Sequence, residues 1–197
     1  MPFWSTNFGE NVNLKDPKRQ FRFKVEFTGI QSQNGGQLLW YAKSVSKPSF
    51  SVNTSTHTYL NHVFNYPGAV TWGDVSITLV DPVGPDMSAT LTDIVVQSGY
   101  TPPTDANSMG TMSKAKAAGA LGTVFITQID GEGEELEKWT LWNAFISEVK
   151  YGDLAYGTDD LTELSVTLKY DWAKLDVFSE EGSSQINGFG NKTFFKS

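Results

Sequence analysis

The 197-residue chain contains no cysteine. That excludes a disulfide framework and any thiolate metal site. No apolar run approaches the roughly 20 residues of a membrane helix, and the opening stretch "MPFWSTNFGENVNLKDPKRQ" lacks the basic-then-apolar order of a secretion signal. The expectation is a protein made and kept in a cytoplasm, or assembled from there into something larger, with no membrane binding by itself. Positive charge is also scarce: 15 Lys and Arg face 22 Asp and Glu, for a net charge of -7. The densest basic stretches, Lys15-Asp16-Pro17-Lys18-Arg19 and Lys114-Ala115-Lys116, are short. Too few phosphate counterions would be displaced there for tight nucleic-acid binding.

Chemical equipment is equally thin. The two histidines, His57 and His62, sit five apart on a polar segment, with no Cys nearby and no HExxH helix. No GxSxG marks a nucleophile elbow, and no GxGxxG after a strand, GKS or GKT marks a phosphate cradle. The acidic run Asp130, Glu132, Glu134, Glu135 and Glu137 lacks the ligand spacing of an EF-hand and falls on a Gly-rich hairpin, so it reads as a solvated tip. Asp159-Asp160 reads as a turn. A Ser-His-Asp triad converges only in space and leaves no mark in the sequence. The residues give no positive sign of an enzyme, a metal site or a cofactor.

Aromatic residues are plentiful, with 13 Phe, 7 Tyr and 6 Trp, and supply buried area that a hydrophobic content of 39% would otherwise leave short. Residues 1–20 read as an arm. Phe21–Thr28 alternates as a half-buried strand, Asn34-Gly35-Gly36 forms a hairpin turn, and Leu38–Ser46 is its partner up to the stop at Lys47-Pro48. Ser49–Phe64 is β-favouring but mostly polar, a long hairpin with little core of its own on either face, which calls for cover from another chain. Pro67-Gly68 ends that hairpin and Asp74–Val80 forms the next strand. Met87, Leu91, Ile94 and Val95 then mark a helix capped by Asp86 and stopped by Gly99. "SKAKAAGALG" promises no more than a turn of helix. Strands follow at Thr123–Ile129, Glu135–Trp142, Ala144–Val149 and Leu161–Trp172. The fold class is mainly β: an antiparallel barrel or sandwich with one flanking helix and a long protruding hairpin. The expected organisation is an arm at 1–20, a β domain at 21–175 and a tail at 176–197.

The series "FRFKVEFTGI", Lys47-Pro48, "SFSVNTSTHTYLNHVFNYPG", "VTWGDVSITLVDP" and a helix resembles the tail tube proteins of contractile-tailed bacteriophages. So does the ending "WTLWNAFISEVKYGDLAYGTDDLTELSVTLKYDWAKL", with its Tyr170-Asp171-Trp172 triplet. The resemblance spans residues 20–175. The arm, the 100–122 loop and the tail look like additions to it. It implies a structural virion protein in which hexameric rings stack into a tube, each subunit giving four strands to a 24-stranded lumen barrel. A contractile sheath surrounds such a tube, the tape-measure protein and ejected DNA occupy its lumen, and baseplate proteins initiate it. The resemblance places the protein in the tail of a virion assembled in a bacterial cytoplasm. The hairpin would then reach the adjacent ring through Asn53, Ser55, His57, Tyr59, Leu60, Asn61 and His62, and some of the surplus acidity would face the lumen, since a basic lining would hold passing phosphates. Within the same fold, the alternative is the inner tube of a bacterial contractile injection or type VI secretion system. A carbohydrate-binding β-sandwich, with Trp4, Trp40 or Trp72 as stacking platforms, is the alternative of a different class.

Overall fold

The computed structural model describes residues 18–29, 42–84, 86–104, 110–157, 159–178 and 192–195. Its strands form two packed sheets and one separate hairpin. The first sheet comprises β1 (Phe23–Phe27), β6 (Val124–Ile129), β7 (Glu135–Trp142), β10 (Trp172–Val177) and β11 (Lys192–Phe194), hydrogen-bonded in the order β1-β6-β7-β10-β11. The second takes β2 (Ala42–Val45), β5 (Val75–Val80), β9 (Glu163–Lys169) and β8 (Phe145–Lys150) in the order β2-β5-β9-β8. The remaining pair, β3 (Phe50–Tyr59) and β4 (His62–Trp72), bonds only to itself. Of the two expected forms, the described strands make an open sandwich.

Alternation decides which faces meet. Val75, Ile77 and Leu79 of β5 and Leu164, Val166 and Leu168 of β9 turn inward from the four-stranded sheet. Val25 and Phe27 of β1, Val124 and Ile126 of β6, Leu141 of β7 and Ala173 of β10 turn inward from the five-stranded one. A period of two puts every second side chain on the same face, so each sheet contributes one apolar side to a common core. Helix α1 (Met87–Gln97) adds Met87, Leu91 and Ile94, which recur on one helical face. Its N-cap is Asp86, whose carboxylate accepts from the Ala89 backbone amide at 2.9 Å, and Gly99 at φ +100° follows its end.

Four elements differ from the sequence expectation. The strands at 23–27 and 42–45 do not pair into a hairpin: β1 pairs with β6 and β2 with β5, in different sheets. The turn residues expected between them lie outside the described residues. A second helix, α2 (Lys114–Leu121), exists where one turn was expected. It buries only Ala117 and Leu121, but Ser113 caps it, accepting from the Lys116 amide at 3.3 Å. Behind it Gly122 adopts φ +71°, where a Cβ would fall 2.4 Å from the Gly29 amide nitrogen. Backbone contact of that kind needs glycine. Third, the expected strand Leu161–Trp172 divides at Tyr170-Asp171 and passes from one sheet to the other as β9 and β10. Fourth, β10 continues to Val177 and pairs with β11, so strand pairing runs beyond residue 175.

Two corners, β7 to β8 and β9 to β10, lie side by side where the chain changes sheets. Asn143 takes the left-handed conformation at φ 53°, which asparagine tolerates better than most residues. Its amide donates to Asp171 at 2.8 Å, and Lys114 at the start of α2 holds the same carboxylate at 2.7 and 2.8 Å. The hydrogen bond from Lys114, then that from Asn143, holds the Asp171 carboxyl below its ordinary value. One carboxylate thus ties both corners and a helix together.

A second anchor is Glu137, buried on the inward side of β7. It is ion-paired with Lys18, just before β1, and with Lys47, just after β2. Lys47 also donates to Gln128 Oε1 at 2.7 Å. Burial pushes the Glu137 carboxyl up, but the hydrogen bonds and charges of the two lysines outweigh it and hold the group below 4.5. A depressed folded pKa stabilises the fold above the ordinary carboxylate range, and that contribution is lost as pH falls through the folded value. Chemical denaturation between pH 7 and pH 3 is therefore expected to show an acid-side loss of stability that Glu137→Gln reduces. At neutral pH the same substitution is expected to cost about 1–3 kcal/mol, because it leaves two lysines without their carboxylate.

Candidate assembly surfaces

The expected interaction residues all lie on the hairpin, and all are exposed. Every residue of β3 and ten of the eleven in β4 face solvent. The turn is Leu60-Asn61, with Leu60 at φ 52°, and Tyr59 opposes His62 across it. Pro67-Gly68 does not end the hairpin. It lies inside β4, where Pro67 pairs with Thr54 beside a register shift between Val52 and Thr54. A proline cannot donate to a ladder, so it sits where pairing is already interrupted. The expected contact residue Asn53 occupies that irregularity, and a Cβ at position 68 would lie 3.0 Å from its carbonyl oxygen.

Register divides the hairpin into two unlike faces, because directly opposed residues share a side. Ser55 opposes Tyr66, His57 opposes Phe64 and Tyr59 opposes His62. This face is aromatic and carries both histidines. The other holds Thr54, Thr56 and Thr58 with Val63 and Asn65. Ser55, His57, Tyr59 and His62 therefore share one face, together with Phe64 and Tyr66, which the sequence reading did not name. The signal was the alternation His62, Phe64, Tyr66, visible only once the turn is placed at 60–61.

At its base the hairpin is held by rings. Trp72 packs edge-on against Phe50 at 5.4 Å and Phe195 at 5.5 Å between centroids, and lies tilted against Tyr170 at 6.0 Å. Burial raises the Tyr170 hydroxyl to about 12. Trp72, one of the three expected sugar-stacking platforms, is thus engaged by neighbouring rings. Trp4 and Trp40 lie outside the described residues.

The outward face of the four-stranded sheet is a second surface. Ser44, Ser76, Thr78, Ser165 and Thr167 run across it in register. Its lysines are each answered by a carboxylate: Lys43 by Glu163, Lys150 by Glu148 at 3.4 Å and Lys169 by Asp74 at 3.8 Å. This face is hydroxylic and close to neutral, so the surplus acidity of the chain is not concentrated here. Among the described residues no further strand pairs with either edge, and both edge strands carry a register irregularity, between Ala42 and Ser44 in β2 and between Ile146 and Glu148 in β8. Unpaired edges of this kind are where sheets extend.

Among the described residues, no group of three or more His, Asp or Glu side chains could hold a metal ion. No helix among the described residues is long and apolar enough to cross a membrane.

No protein-family model and no curated protein matches the chain. Solved structures do. A chain of the anti-feeding prophage tube-terminating cap superposes with a TM-score of 0.61 at 14% identity, covering 88% of this chain and 100% of that one. A chain of the sheath/tube terminator of the PVC extracellular contractile injection system gives 0.60 at 18% identity, covering 82% and 98%. A chain of the six-fold symmetrised baseplate of the anti-feeding prophage gives 0.59 at 15% identity, covering 82% and 97%. The expected relation to inner-tube proteins thus holds at the level of the fold: this chain is built like subunits of contractile injection systems.

Proposed function

We propose that the protein is a structural subunit of the inner tube, or of a tube end, in a contractile injection machine. The observation that carries this reading is an exposed hairpin of over twenty residues, standing on a sandwich whose four-stranded sheet has two open edges among the described residues. An isolated two-stranded ribbon is marginal in water, so one this long with an exposed aromatic face is retained where other copies cover it.

The topology suits a ring. All three pairings within β2-β5-β9-β8 are antiparallel, so the first and last strands run in opposite directions. When β8 of one copy meets β2 of the next, the junction is antiparallel too, and head-to-tail closure leaves no free edge. Six copies in such a ring would give 24 strands. The hydroxylic outward face would line the channel and the helices would lie outside.

A neutral lining neither grips nor repels polyanions, so it lacks the acidic character expected of a phage DNA conduit. This face and the fold neighbours favour the injection-system reading over phage DNA ejection. A sheath would surround the tube as in the PVC sheath-tube complex, whose chain superposes with a TM-score of 0.60.

Negative-stain microscopy of the purified protein is expected to show rings with a central channel, or stacked tubes at high concentration. A persistent monomer would refute the proposal. Tyr59→Asp with Leu60→Asp is expected to leave thermal stability within about 0.5 kcal/mol of wild type, because both residues are exposed surface. The same variant is expected to stop tube growth at single rings. Normal tubes from it would remove the hairpin from the stacking interface.

A further inference from the structure

Behind the four-stranded sheet, on the side away from the proposed channel, each edge is undercut. At the β2 edge, Phe21, Phe23, Val45 and Trp139 frame a cavity of about 780 Å³, with Lys18 and Lys47 also lining it. At the β8 edge, Val95 and Val96 of α1, with Tyr100 and Met112, stand over Ile146 and Val149 around a groove of about 480 Å³. Register puts both hollows on the inward side of the sheet, because opposed residues share a face. Val45 pairs with Ile77, Ile146 with Leu168 and Val149 with Val166, and these three partners are at most 2% exposed. The same packed core separates the two hollows within one molecule.

The groove is apolar and open to solvent: Val96, Tyr100, Met112 and Tyr151 on its walls are all exposed. Its only charge among the described residues is Glu148, which Lys150 holds at 3.4 Å. A segment that suits such a groove is aromatic and uncharged. Residues 1–9, "MPFWSTNFG", contain Phe3, Trp4 and Phe8 and no Asp, Glu, Lys or Arg. Their root is at the other hollow. Lys18, the first described residue, lines the β2-edge cavity and is ion-paired with Glu137. The ten residues from Phe8 to Lys18 span up to about 33 Å when extended. The arm's own groove lies three strand spacings off, behind the core. With β8 of an adjacent copy set against β2, that copy's groove lies one spacing away, about 4.8 Å. The fold neighbours are matched over 97 to 100% of their own length but 82 to 88% of this chain, so part of this chain lies outside the shared fold.

We propose that the N-terminal arm is a clasp between subunits, in which residues 1–9 of one copy seat Phe3, Trp4 and Phe8 in the groove between α1 and β8 of the adjacent copy. The site is incomplete in one molecule, because the arm leaves from one edge of the sheet and the groove lies at the other. Each copy gives one arm and receives one, so the contact is head-to-tail and closes with the ring. The inference rests on ring closure through β2 and β8, and adds to it an aromatic lock behind that junction.

The chain has no cysteine, so introduced thiols report alone. Full-length Phe8→Cys and Val96→Cys proteins are mixed, assembled into rings and treated with a short bis-maleimide, with Phe8→Cys and Leu60→Cys as the control pair. Covalent dimers are expected from the first pair at least tenfold above the control. Rings seen by microscopy without that crosslink would overturn the clasp and leave the ring reading standing. A crosslinked monomer from the double variant Phe8→Cys/Val96→Cys would put the arm on its own groove and overturn the clasp too. So would dimers from Trp40→Cys with Val96→Cys in place of the Phe8 pair, which assign the groove to the segment before β2. A protein that forms no ring would overturn both readings. In a second measurement, deletion of residues 2–9 is expected to leave the thermal midpoint of the monomer unchanged and to raise the protein concentration needed for rings at least tenfold. An unchanged ring-forming concentration would also overturn the clasp.

Discussion

The packing of two sheets through one apolar face each is the constraint from which the other surfaces follow. Leu164, Val166 and Leu168 must point at Val124, Ile126 and Leu141, so Ser165 and Thr167 must point away. A period of two leaves no third option. The inward face fixes what the outward face can be, and a β-branched and hydroxylic sequence makes that face wettable without loading it with charge. The same constraint separates the hairpin from the molecule. In β3 Thr54, Thr56 and Thr58 alternate with Ser55, His57 and Tyr59, in β4 Phe64 and Tyr66 alternate with Val63 and Asn65, and all of these are exposed.

Crossing between sheets is the step most exposed to failure, and polar groups guard it. Asn143 and Asp171 sit on adjacent corners and share a hydrogen bond, with Lys114 completing the set. Glu137 performs a comparable task elsewhere, joining the segment before β1 to the connector after β2. Both carboxylates contact groups distant in sequence. They lend long-range order to a fold whose covalent chain has no disulfide to supply it.

Hairpin and edges share one property: each is stable only when something else completes it. Among the described residues, β2 and β8 each pair with one strand alone, and the apolar side chains of the hairpin tip are exposed. Monomers avoid such features by covering or charging their edges. Here the edge strands are short or irregular and carry Lys43 and Lys150, which discourages casual pairing while permitting a specific partner. The fold neighbours, found in a cap, a baseplate and a sheath/tube terminator, share this framework at 14 to 18% identity. At that distance the fold is held in common and the surface chemistry is this chain's own.

Local pattern made much of this legible in the sequence. The strands at 75–80, 124–129, 135–142 and 145–150 and the helix at 87–97 follow from alternation, turn residues and a cap, which act over a few positions. The hairpin was readable as a long β segment short of core for the same reason, but its aromatic face was not, because that depends on where the turn falls. Partners in space were not readable. Nothing within a few residues of Phe23 says that β1 pairs with β6 rather than with β2, and the division of 161–172 at Tyr170-Asp171 depends on Asn143 and Lys114. Helix α2 is legible only through the surface that covers Ala117 and Leu121. The sequence by itself determined which segments are strands and that one of them lacks a core, because side-chain alternation is a local property. Tertiary structure alone decided which strands lie at the edges of each sheet and which face is neutral. Those depend on contacts between residues far apart in the chain, where local periodicity carries no information.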